Sequence, residues 1–402
     1  MWGTGLSKSP SDAAGPAWER SGAQAHSWMG PSGGVHEPTD DLRTRLAGLE
    51  EELLAARAKL AEFAETRNQL KYHQDTLRRT RARLGGPSFH RELQALKNYG
   101  YAMAALDPES QHPLRQIQYK LRNYRFAASH GVRVPAVLGS WSRIRDITLS
   151  DLPDRFVLKS DGGAASEGVL PLRRLGPEQY VTIDGSKSMT ATDILDAFEV
   201  AATAKKAWGP YFAEELLAQE GGGVIPDDVK IYVAYGRVLQ VLLRRVTEHA
   251  KESTVAYKYV AATGEDLGAI TTTRNIDSSI PVPSTLPEMV TIAQHLSRAV
   301  GVHFCRVDLY HTTRGVVLGE ITRTPGGPQT YALEHDRAMG EQFLLAQAAW
   351  ELDLLHGRPL AMLHGEHAAP NHYPVSHTAH TDPNSPLWRM HVLSCDEWCY
   401  RT

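Results

Sequence analysis

Leu42, Leu46, Leu49, Leu53, Ala56, Leu60, Phe63, Arg67, Leu70, Gln74, Leu77, Arg81 and Leu84 follow one another at alternating steps of four and three. That alternation holds a stripe at a 3.5-residue period, the signature of a left-handed coiled coil, over about six heptads. Gly85, Gly86 and Pro87 cannot continue a helix and end it, giving a coiled-coil segment at 41–86. The first half of the seam is apolar, whereas Arg67, Gln74 and Arg81 occupy seam positions in the second half. Two readings are open: a homodimeric or partner-binding coiled coil, or a long solvated helix against the rest of the protein. The basic run from Arg67 to Arg83 is read as a solvated helical face.

What flanks the seam is different in kind. Residues 1–40 are rich in Gly, Ser, Ala and Pro, bury too little to offset their ordering entropy, and are expected to be disordered. The stretch carries neither an apolar core nor a basic leader, so it is not read as a secretory signal. No apolar run reaches the roughly 18 residues that span a bilayer. Three cysteines, Cys305, Cys395 and Cys399, are too few for a disulfide framework, and a reducing cytoplasm is the expected location. A net charge of -3 argues against nucleic acid as the main ligand.

From residue 87 to 357 the pattern is that of a mixed α and β domain, with a first lobe over about 87–155 and further lobes over about 156–357. PLRQIQYKLRNYRFAASHG reads as one helix ending at Gly131, and a second helix is expected from Ala191 to Trp208. VKIYVAYGRVLQVLLRRV reads as a hairpin turning at Tyr235-Gly236, and HFCRVDLY with VVLGEI as another around Gly315. Several hairpins without strict βαβ repetition give an α+β class with largely antiparallel sheets.

Three groups of residues can carry chemistry. Lys159 sits at the end of a strand before a small-residue turn in which Gly162, Gly163 and Gly168 allow close backbone approach to phosphate oxygens; an ordinary hairpin loop fits equally. Asp308 and Glu320 lie on the two strands of one hairpin, with Thr322 two residues on, a hard-oxygen set suited to Mg²⁺. Exposed strand-end acids fit that pair as well. Arg306, two residues before Asp308, shares its face and serves either charge balance or a developing negative charge. The stretch Glu214-Glu215-Leu216-Leu217 and the later Asp227-Asp228-Val229-Lys230 are permissive for nucleotide contact without being diagnostic.

The order VLKSDGGAASEGV, EELL, DDVKIYVAYGRV, RVDLY and GEITRTPGG resembles the ATP-grasp superfamily. The resemblance is greatest to the TupA-like (teichuronopeptide biosynthesis) branch, over about residues 110–350. It implies an ATP-grasp fold, two α+β lobes clasping ATP, here preceded by the long coiled-coil helix. It implies ATP and Mg²⁺ as cofactors, with Lys120, Lys159, Gly162, Gly163, Ser166 and Gly168 around the phosphates and Glu214, Glu215 and Leu217 bordering the adenine. Lys230 would sit by the transferring phosphate, Asp308, Glu320 and Thr322 would hold the metal, and Arg306 would polarise the acyl intermediate. The implied activity is ADP-forming ligation of a carboxylate to an amine through an acyl phosphate, on small-molecule or peptide substrates, in envelope-polymer or secondary-metabolite biosynthesis. A phosphotransferase on the same scaffold and a non-catalytic coiled-coil assembly protein are the alternatives. The loop Asp161-Gly-Gly-Ala-Ala-Ser-Glu-Gly168 is longer and more acidic than the family's usual one.

The last stretch, 358–402, shows little periodicity and reads as a loosely ordered tail. Its His364, His367, His372, His377 and His380, taken with Cys395 and Cys399, match no regular zinc spacing. Cys305 is expected to be a buried apolar thiol.

Overall fold

The hydrophobic period switches from 3.6 to 2 and back along the chain, and the elements follow it. The computed structural model describes residues 39–163, 167–219, 225–249, 251–327, 329–381 and 395–399. Nearly all of the segment expected to be disordered, 1–38, therefore lies outside the described residues, as does Ser166. The chain divides into two compact units, 1–76 and 77–402.

The described part of the first unit is the length of α1 (Thr39–Leu84) up to Thr76; the helix continues into the second unit and ends where Gly85 begins. Its seam is solvent-exposed, from 51% at Leu42 to 73% at Leu60 and Phe63.

The second unit opens with α2 (Phe89–Leu106), capped by the Ser88 hydroxyl accepting from the Arg91 amide. The stretch expected as one helix is two: α3 (Pro113–Gln116) and α4 (Lys120–Ser129). The break lies at Tyr119, whose extended backbone serves as the N-cap of α4. Asp161 reaches in from a distant strand to accept the Leu121 amide at 2.7 Å, a tertiary cap that favours a fresh helix start over continuation.

A six-stranded sheet follows, built from β1 (Val137–Trp141), β2 (Arg155–Gly163), β3 (Val169–Gly176), β4 (Gln179–Thr182), β5 (Ser188–Thr190) and β6 (Ala207–Glu215) in the order β1-β6-β2-β3-β4-β5. Between β5 and β6, α5 (Ala191–Thr203) starts on a Thr190/Asp193 capping box. It stops five residues short of the expected Trp208, which belongs to β6. Ile194 and Phe198 of α5 pack on Phe156, Leu158 and Tyr211 in a core of their own.

The second sheet comprises β7 (Asp228–Ala234), β8 (Arg237–Val246), β9 (Val255–Val260), β10 (Cys305–Thr312) and β11 (Gly315–Thr322), ordered β11-β10-β7-β8-β9. Every ladder in both sheets is antiparallel. Tyr235 and Gly236 turn the β7–β8 hairpin with φ of 42° and 86°, the left-handed pair that a two-residue hairpin turn requires. α6 (Leu286–Ala299) and α7 (Leu333–Leu355) cover this sheet, and α4 lies against both β2 and β11.

The tail differs from expectation. Leu363 and Ala379 are almost fully buried, and the Leu363 and His367 amides bond to the carbonyls of Ala299 and Ser129. Residues 358–381 dock through scattered contacts and short α8 (Thr378–Thr381), which carry no period to read. Further along the chain, α9 (Asp396–Cys399) packs on α6, and Cys395 and Cys399 are joined to each other, a bond the cysteine count did not suggest.

Candidate active site

Register explains how the second sheet builds a site. Asp308 on β10 stands opposite Glu320 on β11 and Lys230 on β7, and one row away Arg306 stands opposite Thr322 and Tyr232. In the third row Tyr310 faces Asp228. Residues two apart on a strand share a face, so three strands present Lys230, Asp228, Arg306, Asp308, Tyr310, Glu320 and Thr322 together.

Their contacts are charge-assisted. Arg306 Nε and Nη2 donate to the two carboxylate oxygens of Asp308 at 2.6 and 2.7 Å, and Nη2 also reaches Glu320 at 3.4 Å and the Thr322 hydroxyl at 3.3 Å. Lys230 Nζ lies 2.6 Å from Asp308 and 3.3 Å from Asp228. Arg244 adds a 2.8 Å pair to Asp228. Burial would raise the Asp228 carboxyl, but Lys230 and then Arg244 outweigh it and hold it at about 2. For Glu320 burial again opposes ionisation, and Lys120, Arg306, Lys230 and Lys159 together hold the group below its ordinary range. Glu320 keeps 38% of its side chain open to solvent, against 3% for Asp308.

The first sheet and α4 bring two more cations. Lys159 Nζ pairs with Glu214 Oε1 at 2.5 Å, and Tyr124 donates to the other Glu214 oxygen at 2.6 Å. Lys120, the first residue of α4, is buried; its Nζ donates to the Ser160 carbonyl at 3.2 Å. Among the described residues no carboxylate lies within ion-pair distance of Lys120. Burial therefore lowers its pKa, against the opposing pull of Glu320.

Several sequence expectations are refined. Glu214 and Glu215 are adjacent on β6 and face opposite sides. Glu214 joins Lys159, whereas the Glu215 carboxylate accepts the Ala136 amide at 2.8 Å and pairs with Arg314. Only the backbone of Glu215 is available on the Glu214 face. Leu217 is buried just past the end of β6. The acids of the glycine loop are both accounted for: Asp161 points inward to α4, and Glu167 pairs with Lys206 at 2.9 Å. The loop glycines are required by space. A Cβ on Gly162 would lie 2.0 Å from the Trp208 ring, and one on Gly168, at φ +68°, 2.2 Å from the Ser160 hydroxyl.

Asp161, Tyr124 and Arg244 were not read from the sequence. Each acts through a partner tens to hundreds of residues away, so no local spacing marks it. Asp161 is fully buried; one oxygen accepts the Leu121 amide and the other the Tyr373 hydroxyl at 2.8 Å. Asp161→Ala strands both donors and should cost about 2–5 kcal/mol in urea unfolding. Burial raises the Asp161 carboxyl from 3.8 to about 6. Below pH 3.8 both states are protonated; as pH rises through that value to about 6 only the unfolded chain ionises freely, and stability falls. Asp161→Asn should lack this slope while keeping an acceptor for Leu121.

A cavity of about 210 Å³ lies beside Asp228, with Asp227, Gln219 and His311 and an apolar wall that includes Ile280 and Val282. Among the described residues no helix is long and apolar enough to cross a membrane.

The family model for TupA-like ATPgrasp proteins matches residues 92–344. No curated protein matches the chain. Among solved structures, the D-alanine–D-alanine ligase of Bacillus anthracis complexed with ATP is 14% identical, over 60% of this chain and 67% of that one, at a TM-score of 0.36. The ATP-grasp ligase PsnB, complexed with a phosphomimetic variant of its minimal precursor, Mg and ADP, is 16% identical over 59% and 60%, at 0.34. N5-carboxyaminoimidazole synthetase of Staphylococcus aureus complexed with ADP is 14% identical over 58% and 52%, at 0.35.

Proposed function

The chain belongs to the TupA-like ATP-grasp family, and from that premise we propose that it is an ATP- and Mg²⁺-dependent, ADP-forming ligase that activates a carboxylate and joins it to an amine. The observation that carries the reading is Lys120, a buried ammonium that among the described residues has no carboxylate within ion-pair distance, beside a face of paired charges. A buried cation is costly unless an anion meets it, and a nucleotide phosphate is such an anion.

The donor set suits the metal as well. Asp308, Glu320 and Thr322 offer hard oxygens on one sheet face, and Glu320 with Thr322 is the more open part, since Arg306 and Lys230 already grip Asp308. Mg²⁺ held there would neutralise charge between the terminal phosphates.

The chain's own residues do the rest. Lys120 and Lys159 bind the phosphate chain under the loop of Gly162, Gly163, Ser166 and Gly168. The segment from Glu214, at the end of β6, to Leu217 borders the adenine. Lys230 lies by the phosphoryl group as the substrate carboxylate attacks it, giving ADP and an acyl phosphate. Arg306 is fixed by Asp308 through Nε and Nη2, and among the described residues its Nη1 makes no hydrogen bond. That edge is available to the charge that develops when an amine displaces phosphate, and Asp308 keeps the guanidinium's pKa raised against the penalty of burial. The preformed charges need no reorganisation as the reaction proceeds.

Release of inorganic phosphate, screened across amino acids, sugar acids and peptides with Mg-ATP, tests the assignment. A ligase releases phosphate only when both acceptor and donor are present. A phosphorylated stable product would instead make the protein a kinase, and failure to bind Mg-ATP would leave the assembly reading.

The exposed seam of α1 supports a homodimer through its apolar first half. Each Leu buried in a pair contributes about 1.5–3 kcal/mol. The chain should elute as a dimer in light-scattering chromatography, and the Leu49→Asp/Leu53→Asp double variant as a monomer with unchanged Mg-ATP binding. A wild-type monomer at micromolar concentration rules the dimer out.

A further inference from the structure

Three segments distant in sequence meet at the C-terminal end of α4. His130 caps that helix, His295 lies in the second half of α6, and Cys395 immediately precedes α9. His130 Nδ1 and His295 Nε2 are 3.0 Å apart, and with Cys395 Sγ they form a group whose ligand atoms all lie within 4.8 Å of one another. Cys399 is bonded to Cys395, and both are 3% exposed. None of the four takes part in the nucleotide site described above.

The hydrogen bonds fix which nitrogen is available. His130 Nε2 lies 2.9 Å from the Leu363 carbonyl, which can only accept, so Nε2 carries the ring proton and Nδ1 presents a lone pair. A backbone carbonyl gripping the far N–H is how metal-bound imidazoles are oriented. The two sulfurs come from residues four apart around a single helical turn, which places them on one side. Three intervening residues also fall within the spacing of zinc-binding cysteine pairs. The tail histidines hide this arrangement in the sequence, because the two imidazole ligands come from α4 and α6 instead.

We propose that, with the cysteines reduced, His130 Nδ1, His295 Nε2, Cys395 Sγ and Cys399 Sγ form a tetrahedral zinc site that clips the C-terminal segment to α4 and α6. Tetrahedral bonds of zinc to nitrogen and sulfur set N···N near ~3.3 Å and S···S near ~3.8 Å. The imidazoles are almost in place; the sulfurs must part. A dithiol reductant supplies two electrons and two protons to the Cys395–Cys399 bond and is itself oxidised to a disulfide. Zinc then displaces the two thiol protons to solvent, and the ring proton that His295 Nε2 donates to His130 Nδ1 before the metal binds passes to His295 Nδ1, freeing both facing nitrogens as ligands. Disulfide and zinc are mutually exclusive ways of closing the same segment, and the helix so held carries Lys120 at its other end.

The test uses the full chain, reduced with a dithiol, freed of reductant without air, and titrated with Zn²⁺ and separately with Co²⁺. Expected are about one tight zinc per chain and, with cobalt, a thiolate-to-metal charge-transfer band with intense tetrahedral visible absorption. Oxidised protein should bind neither. His295→Gln, at a partly buried position, and Cys399→Ser should each weaken zinc at least ~10-fold, with circular dichroism reporting that the fold is kept. Reduced wild type lacking the thiolate–cobalt band overturns the site whatever the variants do. Unchanged zinc affinity in both variants overturns it as well.

Discussion

Glu320→Gln should abolish measurable ligation, lowering turnover by at least ~10³-fold, because a carboxylate that holds the metal supplies several kcal/mol of transition-state stabilisation. The substitution is close to isosteric. Its amide oxygen still accepts from Arg306 Nη2 and Thr322 Oγ1, which contact Glu320 at 3.4 and 3.2 Å. Only the charge is lost, on a side chain that is 38% exposed and therefore partly screened, so the melting temperature should move by no more than a few degrees. Arg306→Ala is a less clean probe, since it strips two hydrogen bonds from a buried Asp308 and costs stability as well as activity. Two further readouts separate metal from fold. Mg²⁺ should tighten ATP binding to the wild type and not to Glu320→Gln. The wild-type carboxyl, held below its ordinary value of 4.5 by the surrounding lysines and Arg306, contributes stability that is full above that pH and lost as pH falls through the folded value. The variant should lack that dependence. A variant that turns over at the wild-type rate removes Glu320 from the metal site.

How much of this was legible in the sequence depends on whether a contact is local. The β10–β11 hairpin was, because alternation puts Arg306 and Asp308 on one face and a single turn at Gly315 brings Glu320 and Thr322 opposite. The Tyr235-Gly236 turn was legible for the same reason, as was the seam of α1, whose period repeats for many turns. What escaped depends on partners far along the chain. Nothing near Pro113–Ser129 announces that Asp161 will cap a helix at Leu121, so one helix was read where two form. Nothing near residue 373 announces that its hydroxyl will meet Asp161 and help order a segment without periodicity. Glu214 and Glu215 looked equivalent as a pair; strand geometry sends one to Lys159 and the other to Arg314. The family resemblance implied a phosphate role for Lys120, but that no carboxylate among the described residues lies within ion-pair distance of it is a property of the folded chain alone.

That missing counterion yields an asymmetric expectation for Lys120→Met. Most substitutions of a buried residue destabilise. Here the side chain that is lost is an ammonium that among the described residues donates only to the Ser160 carbonyl, and burial already lowers its pKa. Methionine fills a similar volume without a charge to desolvate, and replacing a poorly compensated buried ion by a well-packed apolar group is often neutral or stabilising. Apo Lys120→Met should therefore melt at or above the wild-type temperature. Nucleotide binding should move the other way, because a charge-assisted contact to phosphate contributes about 1.5–3 kcal/mol, or roughly 10- to 150-fold in the Kd for Mg-ATP. Lys159→Met is the internal control: Lys159 is paired with a Glu214 carboxylate that is 4% exposed, so its removal leaves a buried charge unmatched and should cost stability as well as affinity. Calorimetry with Mg-ATP and a thermal melt of each apo variant read both quantities. If Lys120→Met binds Mg-ATP as the wild type does, the buried ammonium is not waiting for a phosphate, and the ligase assignment loses the observation on which it rests.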